Sequence, residues 1–535
     1  MNKLFFKGLG GCMALILTPM SMAGTDVYFN PLTQSAAVAS PNHVNELNSP
    51  WQTPAGISQV NLTSLREVES SVNQSILRVP GAGTSASMFD MVSYDDEARF
   101  LFIPHETPYG AGASRYDLEN DTAELLFSGD LGGLNEDWSN DYGAFDPSTW
   151  TPNRTLFLGE EWTAEGRIIE VVNPLAPVED IQIRELQSIP NVAHEGLRFG
   201  RDDKTLYFVD EWNSGSIYKI VFKDKRDYSA GGQSFVLVVD AYNGNPADNY
   251  NESSNANAPR TGLATWVPIT DKDGNKLTSI DPYRNGPTND PRSNDDTRGG
   301  RPAADEVNGT PYGRPEDMEV GELANGHEVV YVAATSENAI YSIEMLHGNK
   351  AMVRLMASET DTPKNADFPA TTARLNSPDN LAQDALGNIY VVEDAPNGSN
   401  VGGDIWFVRD TDNDGVAESL DHFMSIQVDG SEATGMIFNP QEPTQFVVVV
   451  MHPDSTTVPN GFGDAIWQFD LRGVVPPPCS KKRHDHDDHG RHDFRGRREQ
   501  TCTDTRDANF VELLEQSSGK EHWSHKKKKH SWRHW

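Results

Sequence analysis

The sequence predicts an all-β protein and, within that class, a six-bladed β-propeller. A pattern of short apolar strands repeats six times between residues 88 and 475, with loops rich in Gly and Asn between the strands. The third strand of a repeat often contains Ile-Tyr or Ile-Trp at the same place. Repeats of this kind are typical of propeller blades, whereas chance alternation in a β-sandwich would not reproduce the same dipeptide.

The repeats are clearest where two apolar strands follow each other across a polar loop. In the third repeat, residues 205–209 (Thr-Leu-Tyr-Phe-Val) precede residues 216–220 (Ser-Ile-Tyr-Lys-Ile). The spacing is roughly 50 to 60 residues except before the fourth repeat. There, residues 243–309 are dense in Asn, Pro, Gly and Asp. We expect this stretch to be an insertion between blades three and four, with a hairpin over residues 265–276.

The N-terminal part of the chain differs from the repeats. Residues 1–23 contain Lys3 and Lys7, then an apolar run and a small-x-small motif before Gly24, which is the pattern of a signal peptide. We therefore expect export to the periplasm or the cell exterior. Residues 24–87 are predicted to be a leader that packs on the propeller, which itself spans residues 88–475.

The C-terminal stretch 476–535 begins with three Pro and is then rich in His and Lys, which predicts a largely disordered tail. Only residues 509–516 have helical character. The eight His of the tail could bind zinc, nickel or copper loosely, and a merely solvated tail is an equal alternative. No apolar run after the first 23 residues is long enough to span a bilayer, and we expect a monomer.

Negative charge is concentrated before the tail. The 30 Lys and Arg against 69 Asp and Glu before residue 481 give that part of the chain a net charge of −39. Such a body repels nucleic acid and anionic lipid, so neither is expected as a partner, and it favours divalent cations. Solubility in a salty habitat explains the composition equally well, so the positions of the acids must decide.

Those positions follow a rule of blade geometry. In a propeller blade, the start of the first strand and the end of the antiparallel second strand lie on the same face. Acids occur at these places in all six repeats, so we expect them to meet at one mouth. The residues predicted to converge there as metal ligands are Glu106, Glu160, Glu161, Glu195, Glu211, Glu316, Asp379, Glu393 and Glu432.

So many carboxylates in one place predict bound cations, because like charges at close range repel and raise one another's pKa. Oxygen-rich sites of this kind suit Ca²⁺, with Mg²⁺ or Mn²⁺ as alternatives. The body of the protein has no Cys, which excludes thiolate ligands. Three His occur at the same strand ends: His105, His194 and His452. They could bind a transition metal, or they could be structural residues that contact the metal ligands.

A cation precedes one of these acids in the run Arg314-Pro315-Glu316. Pro315 has a fixed φ and favours an extended conformation for Arg314. A stiff Arg-x-Glu segment suits an anion held against a metal, which makes Arg314 the predicted catalytic residue. A surface ion pair at the entrance of a strand is the alternative.

A second acidic segment follows the third strand of the fifth repeat. Asp410, Asp412 and Asp414 precede Gly415 in the pattern of the first half of a calcium loop. That strand runs away from the mouth, so we expect a structural calcium site on the opposite face. An ordinary Asp-Gly hairpin turn is the alternative.

Several of these segments resemble PhoX-type alkaline phosphatases. The most specific is Thr310-Pro-Tyr-Gly-Arg-Pro-Glu316, and residues 105–106, 206–220 and 431–435 are also similar, so that the resemblance covers most of residues 88–471. It implies a six-bladed propeller that hydrolyses phosphate monoesters with calcium and iron. By resemblance, Arg314 would hold the phosphate, Glu316 would bind calcium, and the ligands of metal would include Glu106, Glu195 and Glu211.

Two departures from that family favour a centre dominated by calcium. Gly159 stands directly before Glu160 and Glu161, where the family has a Cys iron ligand, and residues 1–23 lack a twin-Arg export motif. We therefore predict a secreted, calcium-dependent phosphoesterase for small-molecule phosphate esters. The alternatives are a calcium-binding propeller that holds a ligand without turnover and a calcium-dependent hydrolase of lactones.

Overall fold

A computed structural model describes residues 26–38, 43–72, 76, 89–162, 165–283, 297–394, 400–457, 459–477 and 509–521. The predicted signal peptide and all eight His of the tail lie outside these residues. Every helix that the structure describes is too short or too polar to cross a bilayer.

Strands dominate the described part of the chain. The leader forms α1 (His43–Asn48), β1 (Trp51–Gln52), β2 (Ser58–Ser64) and α2 (Leu65–Val72). The first three repeats form β3 (Ser93–Tyr94), β4 (Phe100–Pro104), β5 (Gly112–Asp117), β6 (Thr122–Ser128), β7 (Phe145–Trp150), β8 (Leu156–Glu160), β9 (Ile168–Val171), β10 (Ile183–Glu185), β11 (Leu197–Phe199), β12 (Thr205–Val209), β13 (Ile217–Asp224) and β14 (Asp227–Val239).

The described part of the insertion contributes one further strand and one helix, and the last three repeats follow it. These elements are β15 (Gly262–Pro268), α3 (Gly300–Glu306), β16 (Pro315–Glu322), β17 (Glu328–Ala334), β18 (Ala339–Met345), β19 (Lys350–Ser358), β20 (Pro378–Gln383), β21 (Ile389–Glu393), β22 (Asp404–Arg409), β23 (Ser419–Ile426), β24 (Glu432–Phe438), β25 (Gln445–Met451) and β26 (Ala465–Asp470).

The strands pair as antiparallel meanders, and the fold is all-β and propeller-like. The first, second, fifth and sixth repeats form separate sheets, in the orders β3-β4-β5-β6, β10-β9-β8-β7, β1-β23-β22-β21-β20 and β2-β26-β25-β24. The leader strand β2 supplies the fourth strand of the last sheet, with Ser58 opposite Asp470. The N-terminal and C-terminal parts of the chain therefore share one sheet.

The third and fourth repeats do not form separate sheets. Strand β15 pairs with β14 on one side and with β19 on the other, which joins β11–β14 and β16–β19 into one nine-stranded sheet. The predicted hairpin over residues 265–276 is reduced to an isolated bridge between Thr270 and Lys276. Residues 262–268 pair instead with β14 and β19, whose edges would otherwise lack hydrogen-bond partners. A local hairpin would provide fewer hydrogen bonds to these residues.

Apolar layers fill the spaces between consecutive repeats. Phe102 of β4 and Leu158 of β8 belong to one layer, and Leu101 of β4 and Val447 of β25 belong to another. Because the last repeat packs on the first, the repeats close into a ring. Strand β25 is buried from Phe446 to Met451, as expected for a strand covered on both faces.

The helix expected near residues 509–516 is present as α4 (Asn509–Glu521). Phe510 and Leu514 are buried in the layer that also contains Phe407. The Phe510 ring stacks on Tyr28 with a centroid separation of 3.6 Å. This part of the tail is therefore attached to the body.

Candidate metal and phosphate site

Neighbouring residues at the ends of second strands point in opposite directions, because side chains alternate along a strand. In each of the pairs Glu160-Glu161, Asp210-Glu211 and Glu393-Asp394, the first acid is held within its own sheet or by the insertion. Glu160 binds Arg167, whose Nη2 and Nε lie 2.5 and 2.6 Å from its oxygens. The second acid of each pair faces the mouth.

Glu393 is held in a similar way to Glu160. It accepts hydrogen bonds from the Trp406 indole N–H (2.8 Å) and from the backbone N–H groups of Asn376 (2.8 Å) and Asp404 (2.9 Å). The structure thus places Glu160 and Glu393 away from the mouth, contrary to the sequence prediction that they are metal ligands. Sequence alone did not show which acid of each pair turns inward.

The other predicted acids meet at one place, together with three that the sequence analysis did not select. Hydrogen bonds or mutual repulsion connect their carboxyl groups. This acidic bowl consists of Asp90, Glu106, Asp146, Glu161, Glu195, Glu211, Glu316, Asp379, Asp394 and Glu432. Within it, Glu195, Glu316 and Asp379 each offer an oxygen within 4.8 Å of the others, a group that could hold a metal ion.

The three missed acids occupy positions that the blade rule could have identified. Asp90 and Asp146 each follow a Phe at the start of a first strand, and Asp394 follows the second strand β21. Asp90 was missed because it stands before an unusually short strand, β3, which begins only at Ser93. Asp146 was missed because Pro147 interrupts the apolar pattern directly after it.

Irregular backbone turns several of these acids inward. The register of the first and second strands shifts between Phe145 and Ser148, between Pro315 and Met318, and between Pro378 and Leu381. Asp146, Glu316 and Asp379 lie within these three shifts. Each follows by two positions a residue with positive φ, namely Ala144 (47°), Arg314 (50°) and Ser377 (49°). Bulges commonly redirect side chains at functional sites, and here they do so in three sheets.

The positive φ of Arg314 contradicts the extended conformation that Pro315 predicts for it. Tertiary hydrogen bonds hold the strained backbone: Arg314 N–H donates to Trp212 O (2.9 Å) and Arg314 O accepts from Thr335 N–H (3.0 Å). The conformation places the guanidinium against Glu211, which accepts a hydrogen bond from Nε, and within 3.3 Å of Glu316.

Arg314 remains charged and accessible in this position. Burial alone would lower the pKa of its guanidinium, but Glu316 and Glu211 raise that pKa above its usual range. The side chain is 38% exposed, whereas the neighbouring Glu316 side chain is 2% exposed. Arg314 therefore places an accessible cation beside the acids of the bowl.

Burial raises the pKa of the acids in the bowl, and in several of them repulsion between the carboxylates raises it further. Burial raises the pKa of Asp90 to about 6 and that of Glu316 to about 7. The pKa of Glu106, Asp146 and Glu195 lies well above its usual value for the same two reasons. The bowl therefore binds either protons or cations at neutral pH.

A buried oxygen without a hydrogen bond indicates that a cation fits this bowl. Among the described residues, Asp146 Oδ1 is buried and accepts no hydrogen bond, whereas the buried Glu316 Oε1 forms an ion pair with Arg314 Nη2 at 3.3 Å. A buried carboxylate oxygen without a donor is costly unless a cation binds it. An all-oxygen, strongly anionic donor set matches Ca²⁺ better than softer metals.

Of the three His at strand ends, His452 contacts a bowl acid. Its Nε2 lies 3.0 Å from Glu432, and Nδ1 lies 2.9 Å from Gly430 O. His105 contacts Ser114 instead (3.0 Å). His194 is fully buried, and burial lowers its pKa to about 3.

The second predicted calcium segment also forms a group that could hold a metal ion. Asp410, Asp412 and Glu418 each offer an oxygen within 4.8 Å of the others. Asp414 lies outside this group and accepts a hydrogen bond from Val416 N–H (2.9 Å). The segment follows β22, which begins beside the end of β21, with Ile405 opposite Val392, and runs antiparallel to it. These acids therefore lie at the other end of the sheet from Asp394.

Two buried ion pairs attach the end of the insertion to the loops that contain bowl acids. Arg301 of α3 contacts Asp210, which precedes Glu211, with both N···O distances 2.7 Å. Arg298 contacts Glu165, four residues after Glu161, at 2.6 Å. The insertion therefore braces the mouth from one side.

The fold and the site define a propeller-like protein whose acid-lined mouth could hold metal ions beside an anion. The family model of the alkaline phosphatase PhoX matches residues 122–454. This match covers more than half of the chain, and the chain therefore belongs to the alkaline phosphatase PhoX family. No curated protein matches it.

A solved structure agrees with this fold. Pseudomonas fluorescens PhoX in complex with vanadate, a transition state analogue, is 14% identical, with a TM-score of 0.55 over 85% of this chain and 99% of that chain. A gluconolactonase from Xanthomonas campestris is 11% identical, with a TM-score of 0.36 over 85% and 98% of the two chains. A virginiamycin B lyase from Staphylococcus aureus is 10% identical, with a TM-score of 0.37 over 79% and 99%. Neither of the last two similarities is strong enough for an argument.

The position before Glu160 has no room for the thiolate that the resemblance leads one to expect. A Cβ atom at Gly159 would lie 2.8 Å from Pro147 Cγ and 2.9 Å from His194 Cβ. A Cys at this position would therefore require both neighbours to move. The residues around Gly159 do not fit a Cys-bound iron.

Proposed function

We propose that this protein is a secreted phosphoesterase that hydrolyses small-molecule phosphate esters at the acidic bowl, with Ca²⁺ as its metal. The observation that carries the proposal is the placement of Arg314, an accessible cation at the rim of ten converging acids. Membership of the alkaline phosphatase PhoX family supports a phosphatase. We also interpret the nine-stranded sheet as two blades joined by β15, which gives six blades in total.

Calcium would be held first by Glu195, Glu316 and Asp379, the bowl residues whose oxygens approach within 4.8 Å. The other bowl acids would complete the coordination of this and further ions. When bound, such ions neutralise the charge of the phosphoryl oxygens and polarise the phosphorus centre toward attack by water. The proposed centre contains no Cys-bound iron, because a Cys at the position of Gly159 would require Pro147 and His194 to move.

Arg314 has two roles that follow from its contacts. Its ion pairs with Glu211 and Glu316 fix the guanidinium at the rim, so little side-chain entropy is lost when a phosphate binds. Its remaining N–H groups can donate to two phosphoryl oxygens at once. Charge that develops on these oxygens in the transition state is thereby stabilised.

The assay of the purified protein uses a chromogenic phosphomonoester, p-nitrophenyl phosphate. We expect hydrolysis that stops on chelation and returns with added Ca²⁺. Elemental analysis of the active protein should show calcium. Protein that contains calcium and yet releases no product from this ester or from a phosphodiester would refute the proposal.

Gly159 favours a second candidate function, in which the bowl binds a phosphate-containing ligand without turnover. Calorimetry with inorganic phosphate and Ca²⁺-loaded protein separates the two. Phosphate binding in the absence of any hydrolysis supports the binding function, and hydrolysis excludes it.

A further inference from the structure

Aromatic side chains occur on the mouth face beside the bowl, on the loops of the first two repeats. Trp162 directly follows Glu161, and Tyr109 stands three residues after Glu106. Both are partly exposed, and Trp138, in the loop between β6 and β7, is buried behind them. We name Tyr109, Trp138 and Trp162 the aromatic wall.

Two of the three rings stack on each other, and the third lies beside the same glycine as Trp138. Tyr109 stacks on Trp138 with a centroid separation of 5.5 Å and an angle of 25° between the ring planes. A Cβ atom at Gly143 would lie 3.4 Å from the Trp162 ring and 3.5 Å from the Trp138 ring. Both tryptophan rings therefore lie at ordinary contact distance from the same point beside Gly143, and the tightest neighbour of that point is Pro108 O at 3.1 Å.

Backbone hydrogen bonds attach the wall to the acids of the bowl. Glu161 N–H donates to Ala144 O (2.9 Å), and Ala144 N–H donates to Thr107 O (2.7 Å), one residue after Glu106. Gly110 N–H and Gly133 N–H both donate to the buried Asp141, at 2.8 and 2.9 Å. The loops of both repeats thus form one frame, which fixes the wall relative to Glu106 and Glu161.

We propose that the aromatic wall binds a planar aromatic leaving group, so that the preferred substrates are aromatic phosphate monoesters. This inference rests on the proposed function. A phosphoryl group held at the bowl by Arg314 would project its ester substituent toward the loops that surround the bowl, where the partly exposed Tyr109 and Trp162 follow Glu106 and Glu161 in the chain. Stacking on a pre-formed aromatic surface is favourable and loses little entropy. A small alkyl substituent cannot use this surface.

The test compares phenyl phosphate with glycerol phosphate in the full-length protein loaded with Ca²⁺. Phenyl phosphate is intrinsically the more reactive ester, so the informative quantity is the change in the ratio of the two kcat/KM values between variants. Trp162→Ala should raise KM for phenyl phosphate about tenfold with kcat unchanged, because stacking is present in the ground state as well. KM for glycerol phosphate should change less than twofold, and Trp162→Phe should retain most of the preference.

Trp150→Ala is the matched control. Trp150 is also a partly exposed tryptophan, but it lies at the far end of β7 from Asp146 and stacks on Phe102 (5.4 Å). This variant should leave the ratio unchanged. An equal loss for both substrates in Trp162→Ala, or an unchanged ratio, overturns the inference while the proposed phosphatase function stands.

Binding measurements test the wall even if the protein does not hydrolyse esters. Calorimetry compares phenylphosphonate with methylphosphonate on the same Ca²⁺-loaded protein. Tighter binding of phenylphosphonate that is lost in Trp162→Ala supports the wall. Equal affinities for the two phosphonates in the unmodified protein overturn it.

Discussion

The Arg301 guanidinium approaches both carboxylate oxygens of Asp210 at 2.7 Å, and both side chains are buried. The pair links the insertion to the residue that precedes Glu211, and the Arg301 guanidinium also lies 4.5 Å from the centre of the Trp212 ring. A mouth formed by loops from different repeats needs such connections, because each loop alone would move.

Removing one partner of this pair should be costly. In Arg301→Met, Asp210 becomes an unpaired buried charge, so we expect the free energy of unfolding to fall by about 3–5 kcal/mol. Calcium affinity, measured by titration of the chelated protein, should also fall because Glu211 loses its support. The double variant Asp210→Asn/Arg301→Met should recover part of the stability.

Arg226→Ala is the control for that experiment, since Arg226 forms an exposed pair with Asp224. It should leave the unfolding transition and calcium affinity unchanged. If Arg301→Met behaves like this control, the pair does not brace the mouth.

Arg314→Ala should lower kcat/KM for a phosphomonoester at least tenfold, which corresponds to about 1.4 kcal/mol of transition-state stabilisation. Arg314→Lys should recover only part of the activity, because an ammonium group cannot make the two-point contact with phosphate. Arg201→Ala, which removes an exposed partner of Glu322, serves as the control. Wild-type kinetics in Arg314→Ala would contradict the role of this residue.

Stability without cations should decrease as the pH rises. A carboxyl group whose pKa is higher in the folded protein than in the unfolded chain binds its proton more tightly when folded. Its contribution to the stability of the folded protein is therefore present at low pH and is lost as the pH rises through the pKa of the group in the folded protein. The folded pKa of Asp90 is about 6 and that of Glu316 about 7, so we expect Tm of the chelated protein to fall between about pH 5 and pH 8.

Calcium should remove this dependence, because it replaces protons as the partner of the acids. The measurement is Tm across this pH range, with EDTA and with excess Ca²⁺. A Tm that stays constant or rises with pH in EDTA would argue against a bowl of mutually repelling acids.

Neutralising one acid of the bowl should have opposite effects with and without calcium. Asp379→Asn removes a like charge, so Tm of the chelated protein at pH 8 should rise by about 1 to 3 °C. The gain in Tm on adding Ca²⁺ should shrink, because a ligand is lost.

Asp317→Asn is the matched variant for Asp379→Asn. Asp317 adjoins Glu316 in sequence but faces away from the bowl, where it pairs with Arg198 at 3.2 Å. Its replacement should lower Tm at pH 8 both with and without Ca²⁺. The same response in both variants would show that the acids of the bowl are not distinct from other buried acids.

The sequence alone was sufficient to predict the all-β, propeller-like fold and membership of the PhoX family. The repeat fixes which strands are first and second in each unit, and antiparallel pairing then places acids such as Glu161, Glu195 and Glu432 at one face. The predictions of the fold and of the family succeeded because strand periodicity and short motifs such as Arg314-Pro315-Glu316 are local in the chain.

Only the tertiary structure decided which acids turn inward and how Arg314 is held. Glu160 and Glu393 differ from Glu161 and Asp394 by a single position, and the difference depends on partners distant from them in space or in sequence, such as Arg167 and Trp406. The left-handed backbone of Arg314 overrides the preference set by Pro315 because Trp212 and Thr335 hydrogen-bond to it from other segments. Interactions between segments far apart in the chain leave no local pattern, so the sequence determined where the acids gather and the fold determined which of them face the bowl.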